Sequence, residues 1–152
     1  MGKANRRPNV LVPLTLGGAT EAKLGVVAQQ ARAFDACVTL LHVLDGAEPA
    51  HEGLRPAAET EAQSFLADVR DELRRDGVCA EAAVRYGAVP AAVSQVAHER
   101  RASMIIVGAS EPGRLQRRLI GGAGLAGAIS RAADSPVLVV RRQLPADIAD
   151  AA

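Results

Sequence analysis

The chain has 152 residues, 49% of them apolar and 23% charged, enough for one globular domain with a substantial core. A net charge of +1 gives no global attraction to nucleic acid or membrane, and aromatics at 2% leave too few stacking surfaces for RNA or single-strand binding. No run approaches the ~20 apolar residues that span a bilayer, and no apolar signal segment follows the basic start. The expectation is a cytoplasmic protein that binds neither nucleic acid nor membrane.

Residues 1–8 read as a basic N-terminal tail. Five short apolar runs rich in β-branched residues follow: Val10–Leu14, Val38–Leu44, Ala80–Arg85, Met104–Val107 and Val137–Val140. Each is flanked by turn or polar residues and reads as a strand. The near-continuous apolar character of all but the third predicts burial on both faces, as in a parallel sheet.

Helical patterns lie between them. Thr20–Phe34 carries Leu24, Val27, Ala28, Ala31 and Phe34 on one face, with Thr20 as N-cap. Pro56–Asp76 carries Phe65, Leu66, Val69 and Leu73, and Gly77 stops it. Val89–Arg101 opens on Pro90 and shows a stripe of Val93, Val96 and Ala97. Gly122–Ala133 is the last, and it tolerates Gly124 and Gly127 at a helix-propensity cost of about 1 kcal/mol each. Leu44–Pro56 reads as a long exposed loop and 143–152 as a loosely held C-terminal tail.

Strand alternating with helix predicts an α/β fold, a doubly wound five-stranded parallel sheet with helices on both faces. The domain occupies residues 9–142. Cys37 and Cys79 are far apart in sequence, lack a CxxC partner or a nearby His at metal spacing, and read as buried reduced thiols. His42 lies within a strand and reads as a strand residue, neither ligand nor base.

In such sheets, ligands sit beyond the carboxyl ends of the strands, where strand order reverses. That places the candidate site at the loops following Val10–Leu14 and Met104–Val107. The first loop has no acidic pair for Mg²⁺ and no G-x-G-x-x-G. A Walker A loop is absent, as are a Ser-His-Asp set and paired carboxylates at the strand ends. No catalytic apparatus is legible, and no catalytic or metal-binding residue is assigned.

The segments Val10-Leu11-Val12-Pro13, Thr39-Leu40-Leu41-His42-Val43, Gly87-Ala88-Val89-Pro90-Ala91, Ile105-Ile106-Val107-Gly108 and Ser135-Pro136-Val137-Leu138-Val139-Val140 together resemble the universal stress protein family. The resemblance covers about Val10 to Arg141. It implies an adenine-nucleotide alpha-hydrolase-like sheet ordered 3-2-1-4-5, and a homodimer pairing Val137–Val140 of two subunits. That pairing would cover an apolar edge by two-fold symmetry.

ATP-binding members of that family carry G-x2-G-x9-G-[S/T] after the fourth strand and an Asp shortly after the first. Glycines there let backbone N–H groups face phosphate, and the following helix adds its positive end. On this pattern Gly108 matches the first glycine and Gly121 the third. Glu111 replaces the second glycine, Gly122 the Ser/Thr, and Thr15 stands where the Asp would be. A carboxylate at Glu111 would repel phosphate by about 4 kcal/mol at 4 Å and an effective dielectric of 20. Pro112 removes a further N–H donor. Arg114, Arg117 and Arg118 form a basic cluster that is either a solvated face or a phosphate contact.

The resemblance, with Pro13, Thr15, Val43, Gly108, Gly121 and Gly122 as the nucleotide cleft, implies a non-enzymatic stress-response homodimer without a cofactor and not binding ATP in the usual mode. One alternative is a sensor of ATP, AMP or cyclic AMP. Another is a regulatory module docking onto a transporter or kinase as protein partner.

Overall fold

A computed structural model describes residues 6–45, 55–109 and 124–141. Among these residues five strands alternate with four helices: β1 (Asn9–Pro13), α1 (Glu21–Phe34), β2 (Cys37–Leu44), α2 (Arg55–Arg75), β3 (Ala80–Tyr86), α3 (Val89–Arg100), β4 (Ala102–Gly108), α4 (Gly124–Ala132) and β5 (Val137–Val140). All four ladders are parallel and the strand order is β3-β2-β1-β4-β5, as the resemblance implied.

Strand alternation divides the apolar side chains between two cores. On one face Val10, Val12, Val38, Leu40 and Ile106 pack against α1 and α2, through Val27 and Leu66 among others. On the other, Leu11, Leu41, Ile105 and Val107 meet Val93 and Val96 of α3 and Ile129 of α4. Each fully buried Leu, Ile or Val contributes about 1.5–3 kcal/mol relative to exposure, so these two layers hold the sheet.

Helix boundaries follow local chemistry. Thr20 caps α1 by accepting the Lys23 N–H at 3.3 Å. Asp35 and Arg101 end α1 and α3 in the left-handed region. Gly77, at φ +81°, follows α2 and donates its N–H to the Arg74 carbonyl. The described part of α4 begins at Gly124, where φ is +67°.

Three expectations are corrected. Cys37 and Cys79 are not free thiols: they form a disulfide, with Cα atoms 4.7 Å apart. The cause is register. Val38 pairs with Ala80, so the residues before them stand side by side at the start of β2 and β3. Phe34 is not on the buried face of α1 but 54% exposed, because it ends the helix beyond the sheet-facing stripe. Strand β5 is only half-buried, since it is a sheet edge, and Val139 is 41% exposed. The body of the long loop (46–54), most of the basic tail, the C-terminal tail 143–152, and Glu111 to Gly122 lie outside the described residues.

Candidate ligand crevice

The ladder between β1 and β4 pairs Asn9 with Ala102, Val10 with Met104 and Leu11 with Ile105. It goes no further, although β1 continues to Pro13 and β4 to Gly108. Beyond this point each strand pairs only with its outer neighbour. The Leu14 N–H donates to the Leu41 carbonyl, and the Ala109 N–H donates to the Val140 carbonyl, both at 2.8 Å. The sheet therefore splits between β1 and β4 at their carboxyl ends. This is also the point where strand order reverses, the place at which a doubly wound sheet accepts a ligand.

Pro13 sits at the split. Its ring removes the N–H that a missing β4 partner would have left unsatisfied. Its carbonyl alternates with that of the neighbouring residue and faces the gap, so it needs a donor. The donor is Lys23, in the first turn of α1, whose Nζ lies 3.0 Å from the Pro13 oxygen. The same side chain lies against Gly108: a Cβ on Gly108 would stand 3.5 Å from Lys23 Nζ and 3.6 Å from Cδ. Lys23 thus bridges the two parted strands.

The electrostatics of this lysine are unusual. It is 7% exposed, and no ion pair involves it among the described residues. Burial lowers its pKa to about 8. Of its three N–H donors, one has an acceptor among the described residues.

The loop after β1 is held rigidly beside it. The Gly18 N–H donates to the Thr15 carbonyl at 2.9 Å, and Gly17 adopts φ +78° in this turn. A Cβ on Gly18 would approach Thr15 Oγ1 to 2.6 Å and the Thr15 carbonyl oxygen to 3.1 Å, so a side chain there would crowd the turn. His42 Nδ1 lies 2.7 Å from the Leu14 carbonyl; a carbonyl only accepts, so Nδ1 carries the proton. His42 is thus the strand residue expected, and it also anchors the end of β1.

Of the residues expected at the cleft, Pro13 and Gly108 meet around Lys23. Thr15 lies exposed in the adjoining turn. Val43 is partly buried and packs into the core on the α3 side. Gly121, Gly122 and Glu111 lie outside the described residues. Lys23 was missed in the sequence, although a signal existed. It is one of only two lysines, and it stands four residues before Val27, on the apolar face of α1. An open concavity of about 760 Å³ is lined by α2 residues alone, from Pro56 to Asp68, and includes no strand end.

The universal stress protein family model matches residues 7–141. No curated protein sequence matches the chain. Among solved structures, a universal stress protein from Archaeoglobus fulgidus in complex with dAMP is 20% identical, with a TM-score of 0.66; the alignment covers 88% of this chain and 98% of that one. A universal stress protein in complex with cAMP is also 20% identical, with a TM-score of 0.66 and coverage of 89% and 97%. A universal stress protein family protein from Arabidopsis thaliana with AMP bound is 18% identical, with a TM-score of 0.65 and coverage of 93% and 98%.

Proposed function

The chain belongs to the universal stress protein family, and from that membership we propose a non-enzymatic, cytoplasmic homodimer of the stress response that does not hold ATP in the family's triphosphate-loop manner. The observation that carries this reading is Lys23. Its side chain occupies the split between β1 and β4, bonded to Pro13 and resting on Gly108, where a nucleotide would enter. Glu111 and Gly122 remove two of the loop's phosphate-binding features in the sequence. Calorimetric titration with ATP and ADP tests the reading. No heat of binding at micromolar concentrations is expected, and micromolar ATP affinity would contradict it.

The homodimer rests on β5. This strand ends the sheet, and its run Val137–Val140 is apolar and only half-buried. An unpaired apolar edge invites pairing with a second copy. Light scattering is expected to give a dimer, and Val139→Lys a monomer. A monomeric wild-type protein at micromolar concentration would contradict this assembly.

A second reading is favoured by the crevice ammonium, which has no carboxylate partner among the described residues. Similar folds have been solved with AMP, dAMP or cAMP, each carrying a single phosphate. A crevice with one cation among the described residues suits such a nucleotide better than a triphosphate. On this reading the protein senses an adenine nucleotide without turning it over. Titration with AMP and cyclic AMP separates it from a crevice that takes no nucleotide.

A further inference from the structure

The geometry points to Lys23 as the binding residue for a single phosphate group, held in the split between Pro13 and Gly108. This deepens the second reading above and rests on the crevice as the ligand site. A lysine in the interior needs an anion, or many acceptors, to offset its lost hydration. Lys23 has neither among the described residues: one neutral carbonyl takes one N–H, and no carboxylate pairs with it. Two donors therefore remain for a ligand, at the point where the strand ladder stops.

A phosphate oxygen satisfies this requirement better than a neutral group, because charge-assisted bonds from an ammonium are the stronger kind. Gly108 presents no side chain at this point, and the Lys23 side chain lies against it at ordinary contact distance. Lysine, unlike arginine, gives up its proton within an accessible pH range. Burial brings that range down to about pH 8, so ligand charge and proton occupancy are coupled at this site.

The test uses the full chain, AMP, adenosine and inorganic phosphate as probes, and Lys23→Gln and Lys23→Met as variants. AMP is expected to bind wild type about tenfold or more tightly than adenosine. Both variants should lose that preference while keeping adenosine affinity and folding. The wild-type preference should also fall as pH rises above about 8. Persistence of the preference in either folded variant would overturn the role of Lys23 and leave the adenine-nucleotide reading standing. With only two lysines in the chain, the Lys23 Cε resonance reports binding directly. If adenosine and AMP fail to bind but inorganic phosphate shifts that resonance, the adenine reading fails and the phosphate site stands. If neither AMP nor phosphate shifts it, the phosphate site is wrong.

Discussion

Lys23 and Gly108 meet across the gap where β1 and β4 part, with the ammonium in contact range of a residue that has no side chain. The ammonium's only hydrogen bond among the described residues runs to Pro13 on the opposite strand. This contact makes the crevice a charged interior site, and it has a cost that stability measurements can read.

An unfolded lysine keeps its proton to about pH 10.5, whereas folding lowers the Lys23 pKa to about 8. Between these values the unfolded chain binds more protons, so stability rises with pH across the window, and the penalty is full below its lower end. Lys23→Met removes the charge but leaves the Pro13 carbonyl without its donor. The variant is expected to be about 1–2 kcal/mol more stable than wild type near neutral pH. That advantage should shrink as pH rises toward about 10.5. Urea denaturation of both proteins at several pH values checks this; parallel profiles would place Lys23 in solvent.

The Cys37–Cys79 disulfide closes a loop with a sequence separation of 42. The loop-entropy model assigns such a closure about 4 kcal/mol. Reduction, or Cys79→Ser, is expected to lower the denaturation midpoint accordingly. The bond joins the starts of β2 and β3, at the opposite ends of the strands from the crevice, so ligand affinity should not change. In a cytoplasmic protein such a bond would open and close with redox conditions. Denaturation with and without reductant measures the effect, and equal midpoints would contradict it.

A polar chain crosses the sheet on the α3 side. Asn9 Nδ2 donates to Thr39 Oγ1 at 2.9 Å, Thr39 donates to Glu81 Oε1 at 3.0 Å, and Arg100 Nη1 donates to the same oxygen at 2.6 Å. Thr39 is fully buried, and Asn9 Oδ1 already lacks a partner among the described residues. Thr39→Val keeps the shape but strands Asn9 Nδ2, at an expected cost of about 1–3 kcal/mol. Thr39→Ser keeps the hydroxyl and should lose about 1 kcal/mol, the value of one buried methyl group. A valine variant as stable as wild type would mean that the chain of bonds contributes nothing.

Two glycines should respond in opposite directions. Gly25 is exposed inside α1, and a Cβ there would meet nothing within 4 Å, so Gly25→Ala should stabilise by about 0.5–1 kcal/mol. Gly18→Ala drives a Cβ to 2.6 Å from Thr15 Oγ1 and 3.1 Å from the Thr15 carbonyl, and should destabilise. Thermal melts of the two variants decide the signs.

The sheet was legible because period and composition changed together along the chain. Runs such as Val10–Leu14 and Val137–Val140 lacked polar interruption, and stripes such as Leu24, Val27 and Ala31 repeated at helical spacing. Pro13 and Gly108 were expected at the cleft because strand ends take the ligand in this architecture, and the structure places both beside Lys23. The disulfide was not, since pairing at a separation of 42 depends on strand register. Aligning the starts of the second and third apolar runs would have placed the two cysteines together. Lys23 stood on the apolar face of α1 in the sequence, but the reason for its burial, the separation of β1 and β4 beneath it, is set by the sheet and by no local pattern. Phe34 shows the reverse error: its spacing fits the apolar face, but the helix has already run past the sheet.

The most direct test of the central claim is the pH titration of the two lysine Cε resonances in the ligand-free protein. A charged lysine sealed in the crevice predicts one resonance titrating near pH 8, assigned to Lys23 by its loss in Lys23→Met, and the other in the ordinary lysine range. Two resonances that both titrate in the ordinary range would contradict the buried cation and, with it, this account of the crevice.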